Sequence, residues 1–439
     1  MTSPTTGSDD GTEPQRERLD GTVTLRAERM VAGGDAMAHV ADGRVAFVTG
    51  ALPGEEVEAE VRNDRKDFVK ATVTDVLEPA AERVEPTCPF RRAGCGGCGW
   101  MHFQVDAQLA AKTEIVAESL RRIGRFEADD VERLVEIGGG VESFGYRTTI
   151  RLVGMVGGGV GFREERSDEV VPIDHCQVAH ENLSSVLRGV SVAPGVELTL
   201  RTSVATNAVT ARWTRPEDRQ RRNEKRRSNA APGESVSGLP PEVHIGDRAF
   251  LVERVAGRSL QVSTPSFFQS GPDAAELLVD AVERAAPELA TADHALDAYG
   301  GIGLFAATVM HEVRHVTLVE SSRSACFDAK ANLTNRSGSG SKSVDIVRGD
   351  VGDWKPTDGI VPIDVVVADP ARSGLAKPGV AAVARMNAPV VVLVSCDPVS
   401  LARDARLLVE NGYRLEHVEV LDLFPHTPHV ECVSRFVKA

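Results

Sequence analysis

Pro389-Val390-Val391-Val392-Leu393-Val394-Ser395-Cys396-Asp397-Pro398 decides how the C-terminal part of this chain folds. The apolar run is strand-length and lacks polar alternation, the pattern of a β-strand covered on both faces of a parallel sheet. A helical pattern follows over 399–410. Cys396 is therefore expected at the carboxyl end of a strand and beside a helix N-terminus. Open α/β sheets bind ligands at that place, and a helix dipole with its free N–H groups favours a thiolate. Isolated cysteines are usually buried and inert, but the polar flanks of this one favour a functional thiol.

The same alternation extends outward from this strand. A helix over 273–286 leads to a strand over 295–299, a glycine turn and a helix over 304–311. A strand over 316–319 ends at Glu320, with a helix over 324–335 behind it. Further strands follow at 344–347, 364–368 and 390–394, and the chain closes on strand-like 413–421 and 429–437. Strands alternating with helices predict an α/β fold, a doubly wound, mostly parallel Rossmann-like sheet over 273–439.

Asp297-Ala298-Tyr299-Gly300-Gly301-Ile302-Gly303 forms the turn after the first strand, where glycines let backbone approach a ligand closely. Glu320 ends the next strand, where a carboxylate can accept ribose hydroxyls. Gly301-x-Gly303-x-x-Ala306 also satisfies the dinucleotide fingerprint, so an NAD-dependent oxidoreductase is a rival. Asp369, ending a later strand in Asp369-Pro370-Ala371-Arg372, and Cys396 tip the balance toward S-adenosylmethionine, because hydride transfer needs neither.

Upstream, 21–79 reads as four or five short strands with glycine turns, a small OB-type β-barrel. Residues 80–272 form a central α+β region, helical near 104–123 and strand-like around 146–162 and 196–214. It opens on a thiol cluster, Cys88-Pro89-(x5)-Cys95-Gly96-Gly97-Cys98, with Cys176 in a later polar turn. Four thiolates suit tetrahedral zinc or a [4Fe–4S] cluster, and the surrounding glycines favour the latter.

The formal net charge of −14 argues against a nucleic-acid partner only on average. Arg212, Arg215, Arg219, Arg221, Arg222, Lys225, Arg226 and Arg227 make a local basic stretch, equally readable as a solvated loop. Seven cysteines without secretory context point to a cytoplasmic protein. Apolar runs are only strand-length, so no membrane span is expected, and 1–20 reads as a disordered lead-in.

Taken together, these motifs resemble the bacterial RNA 5-methyluridine methyltransferases that carry a TRAM domain and an iron–sulfur cluster. The likeness runs from about residue 21 to the C-terminus. It rests on the cysteine arrangement, Phe267-Phe268-Gln269-Ser270, the glycine turn, Asp369-Pro370-Ala371-Arg372, Ser395-Cys396-Asp397-Pro398, and Asp422-Leu423-Phe424-Pro425-His426-Thr427-Pro428-His429-Val430-Glu431.

The resemblance implies that Gln269, Tyr299, Glu320 and Asp369 contact S-adenosylmethionine. It makes Cys396 the nucleophile and Glu431 the general base. Cys88, Cys95, Cys98 and Cys176 would hold the [4Fe–4S] cluster, and 21–79 would be an RNA-binding TRAM barrel. The expected product is 5-methyluridine, in ribosomal RNA ahead of transfer RNA, made by a monomer.

Two positions depart from the family pattern. Leu304 replaces a polar residue after the glycine turn, and Asp397 replaces the usual asparagine, adding an anion expected to raise the thiol pKa. Those departures sustain a rival from another class, an iron–sulfur RNA-binding or redox-sensing protein with an inactive methyltransferase domain. The chemistry accounts for the residue types. Uracil C5 is a weak nucleophile until a thiolate adds to C6, and the C5 proton must later leave to a base. A base in structured RNA must also be swung out, which gives an accessory RNA-gripping barrel a purpose.

Overall fold

The computed structural model describes residues 19–216, 235–334, 342–356 and 362–439. Most of the lead-in and of the basic stretch, Arg219 to Arg227, lies outside the described residues.

The described residues divide into two compact units, of which the first contains 19–31 and 35–81. Its six strands run in the order Thr22–Arg26, Glu56–Asp64, Phe68–Glu78, Val45–Thr49, Ala36–His39 and Arg29–Met30. The strict alternation over 56–61 buries Val57 and Ala59 completely, and Val69 and Ala71 of the neighbouring strand are buried as well. Register shifts along the pairing of Glu56–Asp64 with Phe68–Glu78 bend the sheet, as bulges do.

The second unit holds two larger sheets. One has six strands in the order Val170–Pro172, Val160–Arg163, Thr149–Gly154, Glu197–Thr202, Val209–Thr214 and His244–Ile245. Helix Glu181–Leu187 covers it, with Leu152, Leu183, Leu198 and Leu200 at the centre of the core. A hairpin, Phe250–Val255 with Arg258–Ser263, leads out toward the C-terminal sheet.

That sheet has eight strands: Ser343–Arg348, His315–Glu320, His294–Ala298, Val365–Ala368, Val390–Ser395, Glu431–Lys438, Tyr413–Asp422 and Val135–Gly140. The first five are mutually parallel. Glu431–Lys438 is inserted antiparallel between Val390–Ser395 and Tyr413–Asp422. Strand order reverses between His294–Ala298 and Val365–Ala368, so the ligand crevice belongs at their carboxyl ends.

The eighth strand was not anticipated. Val135–Gly140 comes from the central region and pairs parallel with Tyr413–Asp422. Its three consecutive glycines hide a strand pattern, yet the packing needs one of them. A Cβ on Gly138 would lie 2.7 Å from Leu421 and 2.8 Å from Glu419. Helix Val105–Ser119 shares the same layer, with Val116 and Ala117 in one cluster with Leu393, Leu401 and Phe436. Residues 105–140 therefore belong to the C-terminal core, although they precede the central sheet in sequence. No described helix is long and apolar enough to cross a membrane.

Candidate active site

The glycine turn is shaped by backbone requirements. Gly301 and Gly303 adopt φ of +54° and +83°, and a Cβ on Gly300 would lie 2.6 Å from Leu318. Tyr299 also takes a left-handed φ of +60°, which is costly for a bulky residue and typical of a functional turn. Its ring packs against the apolar layer that contains Leu375 and Val380.

Asp297 is fully buried. One oxygen, Oδ2, accepts the Ala306 N–H at 3.0 Å, while Oδ1 is buried without a hydrogen-bond partner. Burial pushes its carboxyl up to about 7, with repulsion from Asp369 and Glu320 adding to the effect. The Glu320 carboxylate reaches back over the turn. Its Oε2 accepts the Gly301 N–H at 3.0 Å and its Oε1 the Ser322 N–H at 2.5 Å.

This geometry weighs against a dinucleotide. The expected helix over 304–311 is a single turn, Leu304–Ala307, with little aligned dipole for a pyrophosphate. The Ala306 N–H donates to the Asp297 carboxylate and ties this short helix back to the strand before the turn. Leu304 is buried in the apolar cluster. Gln269 is buried in the loop between Arg258–Ser263 and helix Pro272–Ala285.

The second half of the crevice follows from the inserted strand. Ser395 pairs with Cys432, which brings the next residues, Cys396 and Glu431, side by side. Cys396 is half-buried. Burial pushes its thiol up to about 12, Glu431 and Asp369 push the same way, and Arg372 opposes them. Burial and then Asp369 hold the Glu431 carboxyl well above its ordinary range, again opposed by Arg372. Burial lifts Asp369 to about 7. Two carboxyls and a half-buried thiol thus lie together, with the exposed Arg372 guanidinium at their edge.

Asp397 does not act as expected. Its carboxylate caps helix Pro398–Glu410, accepting the Ser400 N–H at 2.7 Å, and it is not among the groups that raise Cys396. A carboxylate at a helix N-terminus is stabilised by the free amides and dipole. The thiol is raised by burial, and the anions that add to it, Glu431 and Asp369, are distant in sequence.

Two residues not singled out beforehand also belong here. Arg372 stands 3.0 Å from Nδ1 of His429. Burial, with Arg372, Arg147 and Lys112 nearby, pushes His429 down to about 4, so the ring is neutral and can accept from Arg372. Arg372 lies three residues beyond Asp369, a spacing that could have drawn attention to it.

The loop from Leu423 to Val430 that delivers Glu431 is anchored from several sides. Tyr146 Oη donates to Pro425 O at 3.1 Å, Ser270 Oγ to Leu423 O at 2.8 Å, and the Trp100 N–H to His426 O at 2.9 Å. Lys112 Nζ, fully buried, donates to Asp422 Oδ1 at 2.6 Å and to Phe424 O at 3.3 Å.

Cys88, Cys95, Cys98 and Cys176 line one cavity of about 270 Å³, together with Phe90, Arg91, Arg147 and His175. Burial raises Cys95 and Cys176 and pushes Cys98 up to about 12, with thiol–thiol repulsion adding to each. Among the described residues no group of three His, Cys, Asp or Glu side chains is arranged to hold a metal ion. Four thiols around one cavity are the donor set that either a tetrahedral ion or a [4Fe–4S] cluster would need. At least one nearby glycine serves packing, because a Cβ on Gly96 would lie 2.9 Å from the Glu165 backbone.

Residues 361–438 match the family described as tRNA (Uracil-5-)-methyltransferase, and residues 22–74 match the TRAM domain. An uncharacterized RNA methyltransferase of Streptomyces coelicolor is 33% identical over 430 residues, covering 92% of this chain and 90% of its own. The 23S rRNA (uracil(1939)-C(5))-methyltransferase RlmD of Pseudomonas putida is 33% identical over 442 residues, covering 96% and 94%. Among solved structures, the Pyrococcus abyssi tRNA (uracil-54, C5)-methyltransferase with S-adenosyl-L-homocysteine superimposes with a TM-score of 0.65. It covers 94% of this chain and 99% of its own at 24% identity, a likeness of fold.

Proposed function

The chain belongs to the RNA (uracil-C5) methyltransferases, and we propose on that footing that it methylates C5 of a uridine in RNA through a covalent adduct on Cys396. The observation that carries this reading is the antiparallel insertion of Glu431–Lys438, which sets a buried acid beside the strand-end thiol.

S-adenosylmethionine supplies the electrophilic methyl group. Gln269, Tyr299, Glu320 and Asp369 surround its crevice, with Glu320 offering carboxylate oxygens to the ribose. Glu320→Ala should weaken donor binding by about 1.5–3 kcal/mol, the worth of a charge-assisted hydrogen bond. Calorimetry showing unchanged affinity would remove Glu320 from the site.

Cys396 must lose its proton before it can add to C6, and Arg372 is the cation placed to favour the thiolate. Bonding of sulfur to C6 gives C5 the electron density to accept the methyl group. Glu431 then takes the C5 proton as the carbon–sulfur bond breaks. Its raised pKa makes it a stronger base than an exposed glutamate. The cap at Asp397 and the core position of Leu304 give both departures a structural place, which supports an active site over an inert one.

The [4Fe–4S] cluster is proposed for the thiol-lined cavity. Protein purified without oxygen should carry about four irons, lost when Cys88, Cys95, Cys98 or Cys176 is replaced by Ala. Stoichiometric zinc without iron would overturn that assignment.

The substrate reading favours ribosomal RNA, supported by the extent of similarity to the Pseudomonas 23S rRNA enzyme. Residues 22–74 are read as an RNA-gripping TRAM barrel. Mapping 5-methyluridine in ribosomal and transfer RNA from a deletion strain tests both: a uridine left unmodified in transfer RNA alone would reverse the preference.

A further inference from the structure

Ser263-Thr264-Pro265-Ser266 joins the hairpin to Phe267, Phe268 and Gln269, and two buried opposite charges grip it from different elements. Arg201, on strand Glu197–Thr202 of the central sheet, is 7% exposed. It donates Nη1 to Ser263 O at 3.0 Å, Nη2 to Ser266 O at 2.8 Å and Nε to Thr149 Oγ1 at 3.0 Å. Asp328, on helix Arg323–Leu333, is fully buried. It accepts from Ser263 N–H at 2.9 Å, Ser263 Oγ at 2.6 Å, Ser266 Oγ at 2.6 Å and Gln261 Nε2 at 2.9 Å.

Arg201 and Asp328 therefore bond the same short segment, the cation through its carbonyls and the anion through its amide and hydroxyls. If the segment shifts, both charges lose partners inside the protein, which is expensive. That makes the segment's position over-determined. Asn332, one turn beyond Asp328, extends the grip. Its Oδ1 accepts the Gln261 N–H at 2.6 Å, and its Nδ2 donates to Ile302 O of the glycine turn at 2.9 Å. The same helix begins just after Glu320.

We propose that Arg201 and Asp328 are positioning residues for the methyl donor, locking 263–266 so that Gln269 is held beside Phe268, which shares one apolar cluster with Ile302 and Leu304 of the glycine turn. This rests on the reading of Gln269 as a donor contact. It makes a strand of the central sheet part of what shapes the donor site, by preorganisation and not by contact.

The test uses the full-length protein as Arg201→Gln, Asp328→Asn, the double variant, Ser266→Ala and Gln269→Ala. Binding of S-adenosylhomocysteine is measured by calorimetry, KM and kcat by methylation of RNA, and amide exchange of 263–270 by mass spectrometry. Each charge variant should raise donor KM about tenfold or more, with kcat at saturating donor and RNA KM within about twofold. The double variant should lose no more than the worse single, because one segment is shared.

Ser266→Ala keeps both charges and guards against misfolding; it should raise donor KM several-fold and speed exchange in the segment. Unchanged donor affinity in the folded charge variants while Gln269→Ala weakens it, strictly additive losses, or a loss confined to kcat would each overturn the proposal. If Gln269→Ala leaves donor affinity unchanged, Gln269 is not a donor contact and the proposal falls together with that reading, an outcome distinct from the failure of the charge variants alone.

Discussion

Cys396→Ala and Glu431→Gln are expected to fail at opposite ends of one covalent cycle. Cys396→Ala has no nucleophile for C6, so C5 never becomes nucleophilic. Neither 5-methyluridine nor a protein–RNA adduct should form. Glu431→Gln keeps the thiol and removes one of the two carboxylates whose repulsion adds to burial in raising it. Addition and methyl transfer should proceed, and the C5 proton then has no base.

Turnover in Glu431→Gln should fall by about 10²–10⁴-fold, the usual worth of a general base, while methylated RNA accumulates bound to Cys396. With radiolabelled donor, a denaturing gel should show a slow-migrating labelled band in Glu431→Gln only. Normal turnover in that variant, or 5-methyluridine from Cys396→Ala, would show that these two residues have been misassigned.

The second large effect concerns stability. Lys112 carries its ammonium into a site with no solvent exposure, and burial lowers its pKa while Asp422 holds the charge in place. Lys112→Met removes the cation and leaves Asp422 buried beside an apolar side chain. Breaking such a pair from one side costs about 3–5 kcal/mol. For a body of this size the thermal midpoint should fall by roughly 4–7 °C.

Replacing both partners, as Lys112→Met with Asp422→Leu, should recover much of that loss, since no orphan charge remains. Activity should not recover with it, because Lys112 also donates to Phe424 O in the loop that delivers Glu431. Differential scanning calorimetry on the two variants, with methylation assays alongside, separates these effects. A single variant as stable as the parent would contradict the buried ion pair.

Much of this was legible in the residues. Val390–Ser395 and Val365–Ala368 announced themselves as buried strands because both faces are covered, leaving no polar position to break the run. The glycine turn and Glu320 were legible because turn chemistry and strand ends are local. Val135–Gly140 was not: its glycines erase the pattern, and its partner strand lies far along the chain. The short helix Leu304–Ala307 was overestimated, since helical periodicity does not report where a chain turns to pack.

The sequence by itself determined the order of strands and helices, the thiol at a strand end and the cysteines that gather around one cavity. Those follow from periodicity, turn residues and motif spacing, each a property of a few neighbouring residues. Only the tertiary structure decided which charges lie together. Asp397 adjoins Cys396 in the chain yet spends its carboxylate on a helix N-terminus, whereas burial raises the thiol, helped by Glu431 from the inserted strand and Asp369 from the end of the parallel strand Val365–Ala368. Electrostatic effects follow distance and burial, and neither is written in the order of residues.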